Sequence, residues 1–427
     1  MKRIYICLVS LCVGALGALA DTAPVYTAEQ CVEMALANSK TALNADYAIE
    51  QAVSMRREAF TKYFPEVSAM GFAVWANHNM LQYNLLNLIE LGIIKNGKTA
   101  GIQAMQPVFV GGQIYNGNKL AELGEEVARL RKEQTDNELR QAVTAFYWKL
   151  ASLKATKGTL ESAIATLDTI EAQVSVAVNA GLAMNNDLLK VQLKRNTYRS
   201  QSVDLDNGIA LVKMLLGQYM GLGVDGDLDI AATVPAEAPA VPYDLFVPAN
   251  DAVQSTADYR LLGKNIEAKR LERKIELGKN LPMVAVGAGW YYHDLLEQNH
   301  NFGAVQIGVN IPLTAWWGGS HALKRKKLAV TIAENERDDL TQKLQIQIQD
   351  KWNNLTAAHR KMGIEAEGIA QCEENYRLCS MYYKAGVGAL ADMLEAETSL
   401  QQARERYIAA YAEFSTARAA YLIATGR

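Results

Sequence analysis

Over long stretches of the chain, apolar residues recur at alternating spacings of four and three. Leu139, Val143, Phe146, Leu150, Leu153, Leu160, Ile164, Leu167, Ile170 and Val174 form one such row, which is the seam of a coiled coil. The row lies in a proline-free run from Gln113 to Ala180. A helix of that length spans about 100 Å, far more than a globular core needs. After a break the pattern returns from Leu188 to Met220. The second half repeats it: Leu340, Leu344, Ile348, Trp352 and Leu355 lead into Ile369, Cys372, Tyr376, Cys379 and Tyr383, in a helix expected from Ser320 to Lys384. A last helix is expected to end near Ala424.

Between Pro65 and Pro107 the helical period disappears. Val67, Ala69, Gly71, Ala73 and Trp75 alternate weakly with Ser68, Met70, Phe72 and Val74, and Ile102 to Phe109 returns after a long loop from Met80 to Gly97. Period-two alternation predicts strands over about 66–76 and 101–110. The region between Pro282 and Pro312 is clearer, with strands expected over about 283–294 and 302–311. Val284, Val286, Ala288, Trp290 and Tyr292 point one way; Val305, Ile307, Val309 and Ile311 lie opposite Ala304, Gln306, Gly308 and Asn310. Such a pattern fits barrel strands with an apolar outside, so Val305, Ile307 and Val309 are candidate lipid-facing residues.

The two halves share an order. Gly181 and Asp187 recur as Gly386 and Asp392 at one offset of 205 residues. Each pair closes one long helix and opens the next, because glycine tolerates a left-handed turn and Asp favours an N-cap. Each half thus reads helix, β-hairpin, long helix, turn, returning helix. The expected organisation is a first repeat over 21–230, with its tip at about 180–187, and a second over 231–427, with its tip at about 385–392. Thr27 and Gln30 form a capping box opening a helix to about Tyr63; its counterpart runs from about Leu245 to Lys279, kinked near Pro248. Gly221 to Gly226 spells GxGxxG, but it ends a helix instead of joining a strand to one, so it reads as a C-cap and linker, not a dinucleotide loop. The fold class is α+β, mainly α.

Composition narrows the function. Residues 1–20 have the charged start, apolar stretch and Ala18-Leu19-Ala20 site of a secretory signal peptide; lipidation at Cys12 is disfavoured by the bulky Leu11. Loss of the leader leaves 41 basic and 46 acidic residues, a net of −5, too mild and evenly spread for nucleic-acid binding. Cys31, Cys372 and Cys379 make no disulfide framework. No mature stretch is long and apolar enough for a membrane helix, so entry into a membrane would require strands. His78, His293, His300, His321 and His359 share no ligand spacing and read as surface residues. No catalytic constellation or cofactor motif is present, so an enzyme is not expected. Four strands per chain cannot close a membrane barrel, which starts at about eight strands, so several copies would have to pool theirs. A soluble periplasmic coiled-coil adaptor or scaffold is the alternative; it would have to expose the Val305/Ile307/Val309 row to water.

Asp392 and Glu395 stand three apart, neighbours on one helical face. On their own they read as a helix cap and a first-turn acid, which the helix dipole favours. Their counterparts are Asp187 and Lys190, an opposite-charge pair.

The turns Gly181…Asp187-Leu188-Leu189 and Gly386…Asp392-Met393-Leu394, the strand ends Gln106-Pro107-Val108-Phe109 and Ile311-Pro312-Leu313, and the start from Tyr26 to Ser39 resemble the TolC-like outer membrane efflux proteins. The resemblance covers the mature chain. It implies a homotrimer with a twelve-stranded barrel in the outer membrane, continued by an α-helical tunnel through the periplasm. It further implies export of drugs, small toxic molecules or proteins, with a periplasmic adaptor and an inner-membrane transporter as partners. By the same resemblance Asp392 and Glu395 match the carboxylates of the periplasmic gate and selectivity ring, and Gly181, Asp187, Gly386 and Gly388 mark the tip turns and the adaptor contact. One departure stands out. Some family members carry a basic residue between turn glycine and gate carboxylate, and Val387 to Ala391 holds none.

Overall fold

A computed structural model describes residues 24–78, 81–85, 89–93, 96–224, 227–235, 237–294 and 299–427. The expected leader lies outside them. The short strand β1 (Val25–Tyr26) leads into α1 (Ala28–Asn38) and α2 (Lys40–Thr61). The capping box is present: Gln30 N–H donates to Thr27 Oγ1, and Thr27 N–H donates to Gln30 Oε1 at 2.9 Å. The helix expected to run to about Tyr63 divides at Ser39, whose backbone is extended and whose hydroxyl caps α2 by accepting from Ala42 N–H at 3.1 Å. The bend sits where Gly221 (φ +77°) closes on Asn38, so near that a Cβ there would lie 2.6 Å from the Asn38 side chain.

The remaining elements follow in order: β2 (Glu66–Trp75), β3 (Leu81–Leu85), β4 (Ile89–Ile93), β5 (Asn96–Val110), α3 (Gln113–Asn179), α4 (Asn185–Tyr219), β6 (Asp229–Ile230), a 3-10 turn at Tyr243–Leu245, α5 (Ala249–Ser255), α6 (Ala257–Gly278), β7 (Met283–Asp294), β8 (Asn299–Asn310), α7 (Ala315–Lys384) and α8 (Leu390–Ala424). Helices α3 and α7 run 67 and 70 residues, each about 100 Å long. The kink near Pro248 is a break at Thr256, whose hydroxyl caps α6 by accepting from Tyr259 N–H at 3.3 Å. Helix α7 starts five residues before the expected Ser320. Gly221 ends α4 in the left-handed region, with Leu222 N–H donating to Gly217 O at 2.9 Å, so this glycine is a C-cap.

Four strands form one antiparallel sheet in the order β2-β5-β7-β8. The two hairpins are therefore joined through β5 and β7, a pairing the sequence pattern does not reveal. That ladder also explains two boundary corrections. Strand β5 begins at Asn96 instead of about 101, because Lys98 and Thr99 find partners in Asp294 and His293. Strand β8 spans Asn299–Asn310, one residue short of Ile311, and extends back to meet Asp294. The stretch expected as a loop from Met80 to Gly97 holds the small antiparallel pair β3–β4.

Where α6 meets the sheet, Gly111 (φ +63°) and Gly278 cross so tightly that a Cβ on Gly278 would sit 2.4 Å from Gly111 O. Any side chain would push strand and helix apart.

Below the sheet the helices bury three apolar cores. One gathers Cys31 and Ala35 of α1, Leu139 to Ala151 of α3, and Leu216 and Met220 at the end of α4. A second gathers Ala252 and Val253 of α5, Ile348 to Met362 of α7, and Tyr407 to Tyr421 of α8. The third, at the far end, packs the two helical hairpins together through Leu160, Leu167, Ile170 and Val174 of α3, Val191 and Tyr198 of α4, and Leu390, Met393 and Leu394 of α8. The seam read in the sequence supplies residues to two of these cores. No helix among the described residues is long and apolar enough to cross a membrane.

Candidate functional site

Both hairpin turns are built the same way. Helix α3 stops at Ala180 and α7 at Ala385, and the next residues, Gly181 and Gly386, both take φ +75°. Leu182 N–H donates back to Ala177 O at 2.8 Å and Gly181 N–H to Val178 O at 2.9 Å; Val387 to Tyr382 and Gly386 to Tyr383 repeat this at 3.0 Å. These are Schellman closures, which satisfy helix-end carbonyls and need a residue that accepts positive φ. Gly388 serves a different end. Its φ is ordinary, but a Cβ there would lie 2.9 Å from Tyr382 Cβ and 3.1 Å from Tyr382 C. The first hairpin has Ala183 at that position, so the second turn folds more closely on its own helix.

Neither Asp187 nor Asp392 is an N-cap. The capping positions are Met184 (ψ 145°) and Ala389 (ψ 146°), which makes each Asp the third residue of its helix. The left-handed glycine followed by an extended segment turns the chain earlier than the sequence pattern suggests. Both acids still lie in the first turn, where a negative charge is favoured by the helix dipole. Asp187 pairs with Lys190 at 3.1 Å as expected. Asp392 and Glu395 are exposed and form no ion pair among the described residues. They begin the narrow exposed stripe of α8, continued by Gln402 and Arg406, while Met393, Leu394, Ala396 and Glu397 face inward.

Sequence reasoning does not single out Glu397. This carboxylate is 5% exposed and accepts a hydrogen bond from Tyr198 Oη at 2.9 Å, tying α8 of one hairpin to α4 of the other. Burial raises its pKa, against the opposing pull of the Tyr198 hydroxyl, Lys194 and Arg404. Lys194 sits 4.7 Å from the centre of the Tyr198 ring, and Gln401, one turn on, donates to Thr159 Oγ1 at 3.1 Å. The available signal was an acid set in an otherwise apolar row, Leu390, Met393, Leu394, Glu397, Leu400. Within the first hairpin Arg195 joins Asp168 and Glu171 of α3; within the second Arg404 meets Glu373 at 2.8 Å.

On the sheet, register settles which residues share a face. Val305, Ile307 and Val309 lie directly opposite Ala288, Val286 and Val284. With Trp290, Ile102 and Val67 they make one apolar face, and Val305, Ile307 and Val309 are 84%, 72% and 60% exposed. The other face carries Ser68, Gln103, Tyr291 and Gln306: Tyr291 Oη donates to Gln103 Oε1 at 3.2 Å, and Gln306 Nε2 lies 3.2 Å from Met105 Sδ. Two histidines depart from the surface reading. His293 is half-buried opposite His300, with rings 5.6 Å apart, because the register pairs them across β7 and β8. His359 is half-buried and donates to Pro239 O at 2.8 Å, since the proline-rich linker folds over it. Among the described residues no three His, Cys, Asp or Glu are grouped to hold a metal.

A two-faced, four-stranded antiparallel sheet set on two long helical hairpins, whose longer helices each span about 100 Å, defines the class by fold: a mainly helical protomer with one small sheet. Residues 262–427 match the model of the family described as Outer membrane efflux protein. The chain is 25% identical over 335 residues to the Outer membrane efflux protein BepC of Brucella suis biovar 1 (strain 1330), covering 77% of this chain and 72% of that protein. Its fold is similar to the outer membrane protein VceC of Vibrio cholerae (TM-score 0.78, 16% identity, 93% and 96% of the two chains). It is likewise similar to the CmeC outer membrane channel of Campylobacter jejuni (TM-score 0.78, 12% identity, 100% and 94%). The resemblance to the TolC-like outer membrane efflux proteins is therefore met by the fold over most of the chain and by the family model over residues 262–427.

Proposed function

We propose that the chain is the outer-membrane exit duct of a tripartite efflux or type I secretion system. It passively conducts substrates from an inner-membrane pump across the periplasm and outer membrane, and it is not an enzyme. One observation carries the reading: a four-stranded sheet whose outer strands β2 and β8 have no further partner among the described residues, and whose apolar face leaves Val305, Ile307, Val309, Trp290 and Ile102 exposed. In water such a sheet is an aggregation hazard; in lipid, with copies pooling their strands, both liabilities vanish. The soluble adaptor alternative leaves the Val305/Ile307/Val309 row unexplained.

Three copies would close a twelve-stranded barrel and gather their helical hairpins into one tunnel. Unsatisfied helix surface supports association. Leu189, Leu193, Val203, Leu211 and Met214 leave an exposed apolar row along α4, and Leu328, Ile332, Leu340 and Ile346 leave another along α7. Rows of this kind seek a partner helix. Mass measurement of the detergent-solubilised chain tests the trimer; a stable monomer at micromolar concentration overturns it.

At the periplasmic mouth the six turns of a trimer would bring Asp392 and Glu395 together in three copies each, a ring of like charge that selects for cations. The turns around Gly181, Asp187, Gly386 and Gly388 would meet the periplasmic adaptor. Replacing Asp392 and Glu395 with Ala leaves assembly intact, because exposed acids contribute little to packing, and lowers cation preference in a planar bilayer. An Asp187→Ala control does less, since Lys190 already offsets that charge. Wild-type selectivity in the double variant together with a loss in Asp187→Ala would assign the ring to the other hairpin.

A further inference from the structure

Residues 269–279 at the end of α6 and 315–327 at the start of α7 carry nine Lys or Arg and only two acids, in a chain whose net charge is −3. Both segments abut the sheet, one just before β7 and one just after β8. They also pack together: Lys326 and Lys269 reach Glu272 at 2.7 and 3.1 Å. Arg270 is met by Glu334 at 2.7 Å and Lys279 by Glu276 at 2.8 Å. That uses every acid in the band. Arg273, Lys274, Lys324, Arg325 and Lys327 are exposed and have no acidic partner among the described residues.

Five like charges on adjacent helical turns repel one another, and Glu276, whose field reaches Arg325, is already paired with Lys279. Their height is informative. Lys274 lies about 6 Å below the end of α6, and Lys324 to Lys327 about 14 to 18 Å below the start of α7. The headgroup layer extends roughly 5–8 Å beyond the hydrocarbon, and charges act across a further Debye length of about 8–10 Å. Immediately above stand exposed apolar anchors. Trp317 and Leu313 are each 80% exposed, and Trp317 precedes Lys324 by two helical turns on the same stripe. Phe60 and Phe64, stacked edge to face at 5.5 Å, are exposed at the end of α2. Aromatic residues above cations is the arrangement found at a membrane–water interface.

We infer that this band is a docking surface for anionic phospholipid headgroups in the leaflet facing the periplasm. The inference rests on the outer-membrane reading above. A cation close to an anionic membrane surface changes partitioning about fivefold, so the unpaired residues together suffice to select lipid by charge.

The test uses the full chain inserted into vesicles of phosphatidylcholine, alone or mixed in equal parts with phosphatidylglycerol, and measures by native mass spectrometry the lipids retained on the released protein. The wild type retains phosphatidylglycerol preferentially. The variant R273Q/K274Q/K324Q/R325Q/K327Q loses the preference, and the charge-matched control R140Q/K149Q/K351Q/R360Q/K384Q keeps it. Equal retention of both lipids by an inserted wild type, or equal loss in the control, overturns the inference alone. So does a band variant that loses its oligomer in phosphatidylcholine, because the compensating anions would then belong to a neighbouring copy. A wild type that never inserts in either vesicle overturns the outer-membrane reading itself.

Discussion

The buried Tyr198–Glu397 bond makes the packing of the two hairpins sensitive to pH, with a sign fixed by its surroundings. Burial raises the Glu397 pKa above its ordinary value near 4.5. Between the unfolded value and the raised one, the native chain holds a proton the unfolded chain has released. Stability from this group therefore falls as pH rises through that window and stays reduced above it. Every tenfold rise in the proton affinity of the folded carboxyl is worth about 1.4 kcal/mol. Glu397→Gln removes the charge yet keeps an oxygen to accept from Tyr198 Oη, so at about pH 8 it matches or exceeds the wild type, and this part of the pH slope disappears. Tyr198→Phe instead strands the carboxylate and costs roughly 1.5–3 kcal/mol at neutral pH, less under acid conditions where the carboxyl takes up its proton. Hydrogen exchange of amides in 160–174 and 390–400, corrected for intrinsic rates and compared at about pH 5 and about pH 8, reads this local stability. Lower protection in Glu397→Gln than in the wild type at the higher pH would refute the argument, as would an unchanged slope.

Two further outcomes follow from packing. Ile307→Arg places a charge on the apolar face and costs roughly 2–4 kcal/mol if it lies near the membrane midplane, while Gln306→Arg, on the polar face, is far milder; equal loss of assembled barrel in the two variants would reverse the assigned faces. Cys31 is fully buried and its thiol is pushed up to about 11, whereas Cys372 and Cys379 are half-buried. Maleimide labelling of the native chain therefore modifies Cys31 last, and only on unfolding does it catch up.

The helical architecture was legible because coiled-coil seams and glycine turns are local signals. The Leu139–Val174 row and the Gly181 and Gly386 turns needed nothing beyond neighbours in sequence. The breaks at Ser39 and Thr256 were not, since one coincides with a contact to Gly221, 182 positions away. The strands near Pro282 and Pro312 showed their faces through alternation, but the joining of β5 to β7 is a long-range pairing with no local signature. Asp392 and Glu395 could be placed on one face by spacing alone. Their lack of an ion-pair partner among the described residues, and the burial of Glu397 two residues on, are tertiary facts that periodicity does not carry. Asp was assigned as N-cap from its preference for that position, and the extended residue after each left-handed glycine moved the cap three places earlier.

The differences between the two hairpins matter more than their likeness. Both turns close on the same hydrogen bonds, so their backbones would form equivalent parts of a mouth. Their charges do not match: Asp187 is paired with Lys190, while Asp392 and Glu395 have no ion-pair partner among the described residues. In the proposed trimer, charge would therefore concentrate on alternate turns. Two unit charges 4 Å apart repel by about 1 kcal/mol in bulk water and several times more at a protein surface. Such a mouth would resist narrowing at three points and not at six, and a cation or a basic partner surface would relieve each of them. Each hairpin is held to its own long helix, the first by Arg195 and the second by Arg404, and the Tyr198–Glu397 bond ties the two together. In the proposed trimer a displacement of the charged second turn would therefore be passed to the first through that shared bond.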